Sequence, residues 1–580
     1  MNGLVGLRLP VVRAIPAGLA AALVTLASSP AALAQTAAPI TVTPPTLAPA
    51  QRESGFRVDI PEAGGLRPPA GSEALAISLA NVSIEGAFPE VDARAKAITA
   101  TIKGRSVTLA EIYAAASAIE AEHARAGFIL ARVSVPAQDL NEGGTLRIVV
   151  TDGFIEMVDV AGLPGRVRGA VERRVGGLAG RGKLNIAEIE PPLLIASDVP
   201  GLTLRSTLMR GERPGGTRLV LEGTHRPVTG SVNIDNGLDP AIDGWGIGLQ
   251  LALNSLLGRG EQVYGFFYGG YDLGRWLRDD APVRVSGGGA IIPLGDGRLS
   301  LNPEVTFSRT LPAPEIGAPR SKGALRRLTL RANYLLSRSQ TGQSGVSLTL
   351  EQIEEALTAP DFGVDLTRNR YMTARLGASL SRRVGEGLIL GVSAQLSQGL
   401  GDFGAISSAE AAASGTPYSR QGSSNGFSRL TAQAFARMPL GDVAEVLLQT
   451  KGQTSFGKPL FRAEQFSLEG PDAVSAYIGG MTAVDEGLAG RFELALAGPA
   501  AGSARASVAP YVFVAGGTGW IKAPTVLETG RLSAGAAGIG ARMNFADGRL
   551  GLNLEFAHGF SSHLPLASSD RANVSATFRF

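Results

Sequence analysis

Three residue patterns in this chain could carry chemistry. Gly452, Gly457 and Lys458 have the spacing of a phosphate-binding loop, which cradles phosphates on backbone N–H groups and a lysine. Pro459 stands where Ser or Thr would hold magnesium, and a long loop rather than a helix is expected to follow, so the pattern fails where the metal is needed. Gly422-Ser423-Ser424-Asn425-Gly426 fits a nucleophile elbow, but an elbow needs a helix directly after its serine, and an alternating Phe427 to Arg437 segment follows instead. Of the four histidines, His123, His225, His558 and His563, the last two fall in one expected external loop, where solvation outweighs metal binding. The chain has no cysteine, which removes thiolate nucleophiles, thiolate metal ligands and disulfides together. Carboxylates are not paired in any context that argues for catalysis. An enzyme is therefore not expected, and neither is a cofactor or a metal.

The elements that carry these residues point to a different kind of protein. In 580 residues, 54 Lys+Arg face 51 Asp+Glu with no long basic run, so nucleic acid is not an expected partner. Arg8 and Arg13 precede an apolar stretch from Ala14 to about Leu26, and Ala32-Leu33-Ala34 offers small residues before Gln35, which reads as a secretory signal over residues 1–34. Beyond it no run of 18 apolar residues exists, so a membrane role would require a closed β-barrel, in which every backbone group is paired.

Residues 35–73 are proline-rich without apolar periodicity and read as a tether. Residues 74–152 and 153–226 then repeat one pattern: Asn81 to Gly86 answers to Met157 to Gly162, and Gly143-Gly144-Thr145 to Gly215-Gly216-Thr217. Each unit reads strand, helix, helix, strand, strand. Thr108 and Glu111 have capping-box spacing and open a helix with Ile112, Ala115, Ala116 and Ile119 on one face, ending at Gly127. Asn185 and Glu188 cap the matching helix of the second unit, where Pro191 and Pro192 are expected to distort it. An exposed edge strand in such a module can pair with an extended chain by main-chain hydrogen bonds.

Residues 227–580 alternate with period two. In Arg326 to Tyr334, Leu328, Leu330, Ala332 and Tyr334 face one side, and Arg327, Thr329, Arg331 and Asn333 the other. Apolar residues outside and polar ones inside suit a lipid-embedded barrel with a wet lumen. Sixteen antiparallel strands are expected, starting near residues 228, 245, 260, 283, 297, 325, 344, 370, 388, 427, 443, 486, 507, 532, 549 and 572. Connections such as Gly295-Asp296-Gly297 and Asp547-Gly548 are short, whereas Arg309 to Ala324, Gly399 to Gly426 and Gln453 to Asp485 are long, the asymmetry of outer-membrane barrels. Phe578 and the terminal Phe580 look like the signal by which such barrels are recognised for insertion.

Signal, tether, two modules and barrel together resemble the two-partner secretion transporters, the hemolysin secretion/activation family. The resemblance implies that the modules are POTRA domains in the periplasm, that the barrel sits in the outer membrane, and that the partners are an unfolded secreted exoprotein, membrane lipid and the barrel-assembly machinery. It also implies that the loop at about 453–485 enters the lumen. That family's loop tip reads Val-Arg-Gly-Tyr; here it is Val474-Ser475-Ala476-Tyr477. The partner motif Phe-x-Asp-x-Gly aligns with Phe513-Val514-Ala515-Gly516-Gly517, so both ends of the expected ion pair are missing together. The resemblance makes Gln465, Phe466, Gly470, Val474, Ser475 and Tyr477 the gate on the loop, and Phe513, Ala515 and Gly517 the wall opposite. Phe466, Val474 and Tyr477 are expected to hold the loop in the lumen through packing and hydrogen bonds. Two alternatives remain open: a barrel-assembly or insertase protein, and a passive porin or surface receptor.

Overall fold

The computed structural model describes residues 58–59, 68–139, 141–314, 319–385, 387–478, 483–496, 506–526, 528–561 and 570–580. The expected signal segment, most of the tether and His563 lie outside these.

The first module pairs strand Ala76–Glu85 in parallel with Gly144–Thr151, which also carries the short antiparallel strand Arg132–Ser134. Helices Pro89–Ala100 and Leu109–Arg125 cover one face. Thr108 and Glu111 form the capping box, Ile112, Ala115, Ala116 and Ile119 are buried, and Gly127 follows the helix end at φ +93°. One strand was not anticipated: Arg105–Thr108, between the helices, pairs antiparallel with Ala76–Leu79. Its four residues are too few to show a period, and only the neighbouring strand defines it.

The second module repeats the plan with strands Phe154–Asp159, Leu202–Arg210 and Gly216–His225 and helices Gly165–Val175 and Ile186–Ser197. The latter helix runs unbroken through Pro191 and Pro192, against expectation. Proline removes an N–H and crowds the preceding turn. Here Asn185 and Glu188 close the first turn as a capping box, and Ile189, Leu193, Leu194 and Ala196 are all buried at 0 % exposure, so core packing holds the helix together. Val58–Asp59 of the tether adds a parallel strand to the edge Leu202–Arg210, opposite Ser206 and Thr207.

Sixteen strands close a barrel. They are β1 Val228–Asp235, β2 Gly246–Asn254, β3 Gln262–Gly270, β4 Val283–Leu294, β5 Leu299–Thr310, β6 Lys322–Ser339, β7 Gly342–Ala359 and β8 Val364–Val384. The second half comprises β9 Leu388–Gly399, β10 Ser428–Leu440, β11 Ala444–Thr454, β12 Glu486–Leu496, β13 Ala506–Trp520, β14 Arg531–Phe545, β15 Leu550–Ser561 and β16 Asp570–Arg579. All neighbouring strands are antiparallel, and β16 pairs back onto β1 through Ser575–Arg579. The largest departure from the expected starts is β8, expected near 370 and beginning at Val364. The β7–β8 hairpin outreaches the ten or so residues that cross a bilayer, and in its projecting end the short apolar face of Val364 and Leu366 is broken by Arg368 and Arg370.

The two faces separate as the alternation requires. Leu330, Leu348, Leu376, Val392, Phe492 and Val514 are exposed on the outside, where lipid would cover them. Asn302, Glu304, Thr306, Arg331, Glu351 and Arg375 are buried inside. No helix among the described residues is long and apolar enough to cross a membrane. The second module sits against the short-turn end: Arg338 of β6 pairs with Asp198 at 3.1 Å, and Glu190 accepts a hydrogen bond from the Gln340 backbone.

Candidate functional site

The connection between β11 and β12 does not project outward. It folds into the lumen and divides one wall from the other. Its base is tied by Asp485, which accepts backbone N–H bonds from Leu460 (2.9 Å) and Lys522 (2.7 Å). Phe466–Ser467 pairs with Ala483–Val484 as a two-stranded ribbon, which carries the chain down to the tip. Gly470 has φ +132°, a conformation open to glycine, and Lys451 of β11 donates to the Glu469 carbonyl (3.1 Å) and to Asp472 (3.2 Å) on either side of it.

Two anchors hold this loop. The first is Glu464, 1 % exposed. Both its oxygens bind Arg375 of β8, at 2.7 and 3.0 Å, and Arg429 of β10 adds a contact at 2.9 Å. Tyr371 donates to the same carboxylate at 3.1 Å, and Phe461 stacks on the Tyr371 ring with centroids 4.5 Å apart. Strand register explains the arginines: Arg331, Thr349, Arg375, Ser397 and Arg429 are successive cross-strand partners, so one level of the wall carries a cation on every second strand. Burial pushes the Glu464 carboxyl up, but Arg375 and Arg429 overcome it and hold the group down at about 2.

The second anchor is the tip. Val474, Ala476 and Tyr477 pack in one buried cluster with Phe513, Ala515, Ala534 and Ala557. Ser475 donates to Glu555 of β15 at 2.5 Å, and Asn573 of β16 donates to the Ser475 carbonyl at 2.9 Å. The tip itself carries no charge, but the partners of the Ser475 hydroxyl do. Arg491 of β12, 1 % exposed and directly opposite Ala515 in the register, donates to Ser475 at 3.0 Å, to Glu493 at 2.6 Å and to Glu555 at 2.5 Å. Its guanidinium lies 3.6 Å from the centre of the Phe513 ring. A wall arginine therefore fills the space beside Ala515, and its counter-ions Glu493 and Glu555 also belong to the wall.

The remaining sequence-derived residues fall as follows. Phe466 packs with buried Leu468, Ala473 and Val484, and Gln465 donates to Asp485 at 3.2 Å near the base rather than the tip. Gly517 lets the loop approach: a Cβ there would lie 3.3 Å from Leu468 Cδ2 and 3.1 Å from the Ala489 Cβ. Phe578 and Phe580 are away from the loop, at the seam, where Phe580 exchanges backbone hydrogen bonds with Gly230 (both 3.1 Å). His558 pairs with Asp570 at 2.6 Å on the exposed rim, and no metal-ligand cluster occurs among the described residues. Sequence reading missed Glu464, Arg375, Arg429, Arg491 and Glu555. The available signal was charge on the lumen face of a barrel strand, as in Arg491 and Glu493 amid Ala and Gly.

The barrel, the paired modules and the loop are the parts of a secretion protein of the outer membrane. The family described as haemolysin secretion/activation protein ShlB/FhaC/HecB matches residues 215–543, and the ShlB-type POTRA domain matches residues 77–153. The first match covers more than half of the chain, which belongs to that family. Its place is the outer membrane, with the POTRA modules on the periplasmic side. The chain is 28% identical over 170 residues to the outer membrane transporter CdiB of Escherichia coli O6:K15:H31, a stretch covering 29% of this chain and 28% of that relative. The match therefore spans under a third of the curated relative's length. The solved structure of CdiB from Escherichia coli shares the fold with TM-score 0.65 at 19% identity, covering 90% of this chain and 94% of the other. That of CdiB from Acinetobacter baumannii gives 0.58 at 16% identity, covering 92% and 94%.

Proposed function

We propose that the protein exports an unfolded exoprotein from the periplasm to the cell surface, with the modules receiving the client and the barrel as its conduit. The observation that carries this reading is a polar-lined barrel, joined at its short-turn mouth to two modules and occupied by its own loop. In this reading Gln465, Phe466, Gly470, Val474, Ser475 and Tyr477 move against Phe513, Ala515 and Gly517 to clear a path. The tip leaves first, and Glu464 serves as the pivot. Client capture is by strand addition at Leu202–Arg210, an edge able to pair with extended chain, as its pairing with Val58–Asp59 illustrates. Phe578 and Phe580 act as the signal to the barrel-assembly machinery, and outer-membrane lipid covers the apolar face.

Deleting the protein and comparing extracellular proteins by mass spectrometry tests the reading. One large polypeptide should vanish from the medium and accumulate in the periplasm. A porin or surface receptor predicts an unchanged set of secreted proteins, and a barrel-assembly protein predicts depletion of many membrane barrels.

A further inference from the structure

Below the loop, between the second module and the lumen wall, lies a cavity of about 950 Å³. Its charged lining is one-sided: Arg174 from the module and Arg298, Arg331, Arg338 and Arg579 from the barrel face a single acid, Asp198. Asp198 pairs with Arg338 at 3.1 Å, and Asp296, just outside the lining, pairs with Arg298 at 3.3 Å. Even after both are counted, the cavity keeps a net positive charge. The rest of the polar lining is serine, threonine, glutamine, asparagine and tyrosine, which hydrogen-bond without adding charge of either sign.

Two donors in the lining are unused. Arg174 is 9 % exposed, and its Nε has no hydrogen-bond partner although Nη1 donates to the Ala170 carbonyl at 2.7 Å. Asn333 Nδ2 is likewise buried without a partner. Arg174 is held at the barrel mouth by the turn after β4, where a Cβ on Gly297 would lie 2.7 Å from its Nε. The module thus contributes a cation, together with Ile195, Asp198 and Pro200, to a cavity whose other walls are the barrel. Low-dielectric walls strengthen the field of like charges in such a concavity, which concentrates carboxylates.

We infer that this vestibule is a binding site for an extended acidic peptide, and that Asp- and Glu-bearing stretches of a client are taken up there before the loop moves. The inference rests on the export reading above and names the chemistry of its substrate. Carboxylates engage guanidiniums by paired charge-assisted hydrogen bonds, and the neutral amides and hydroxyls take the peptide backbone. The same site disfavours basic stretches, which would bring like charge against the five arginines.

The test is fluorescence anisotropy of the full chain in detergent with three labelled decapeptides: alternating Glu and Ser, alternating Lys and Ser, and alternating Gly and Ser. The Glu peptide alone should bind, and binding should weaken as salt rises, since screening acts on such contacts. Arg298→Gln with Arg331→Gln should weaken it by about tenfold, whereas Arg298→Lys, which keeps the charge and loses only the paired hydrogen bonds, should weaken it less. Arg320→Gln, on the opposite rim, is the control, and heat-modifiable gel migration verifies that each variant is folded. Equal binding of the Glu and Lys peptides, or Glu-peptide binding unaltered in the folded double variant, overturns the inference. Either result leaves the export reading standing, whereas an unchanged secretome on deletion removes that reading without altering the titration.

Discussion

The two anchors of the lumenal loop differ in which charges travel with it. At Glu464 the carboxylate belongs to the loop and its two guanidiniums to the wall, so withdrawal strips Arg429 and Arg375 of a shared counter-ion. Arg375 then keeps Glu351, at 2.6 Å, and the Ser397 hydroxyl, at 2.9 Å. At the tip the loop contributes a hydroxyl. Arg491, Glu493 and Glu555 are all wall residues, and they remain paired with one another when Ser475 leaves. Stranding a buried charge is far more costly than exchanging a hydrogen bond for water, so the location of the charge, rather than the number of contacts, sets which end of the loop holds.

The strongest way to break this contrast is Glu464→Gln, which leaves buried cations facing each other. The loop should be destabilised by about 3–5 kcal/mol, seen as raised single-channel conductance and protease access to residues 455–478. A conductance like that of the parent would erase the difference between the anchors. Next comes Ser475→Arg, which sets a second guanidinium against Arg491 and should also open the pore. Adding Arg491→Ser returns a single arginine to the site, now on the loop, and should restore closure. A double-mutant cycle measures this, and additive effects would show that the two side chains do not share the site.

Ser475→Ala is expected to be mild, about 1 kcal/mol, because the wall network stays intact, and it should shift conductance much less than Glu464→Gln. The smallest effect concerns pH. The folded Glu464 carboxyl is held at about 2 against an ordinary 4.5, so its contribution is complete above 4.5 and is lost only as pH falls toward 2. Conductance recorded from neutral pH down to about 5 should therefore stay flat; a rise in that window would contradict the assignment of Glu464 as a paired anion.

Much of the framework was legible in order of residues alone. Period-two alternation located β1, β4, β9 and β12 at their starting residues, because lipid outside and water inside force each strand to sort its side chains by face. The Thr108–Glu111 and Asn185–Glu188 boxes marked helix starts because capping is a local event within one turn. The strand Arg105–Thr108 and the persistence of the helix through Pro191 and Pro192 were not legible, since both depend on packing from residues remote in sequence.

The loop shows the same division. Its position and its tip, Val474 to Tyr477, could be read from the chain, and the absence of arginine at Ser475 and of aspartate at Ala515 is a matter of identity. That Arg491 meets the loop tip depends on strand register, which sets it opposite Ala515, and on closure of the barrel, which brings Glu555 and Asn573 to the same point from 64 and 98 residues away along the chain from Arg491 and Ser475. Glu464 meets Arg375 for the same reason, across 89 residues. Periodicity sorts a residue inward or outward, but only the closed sheet decides which inward residues meet, because electrostatic pairing depends on distance in space and is blind to separation along the chain.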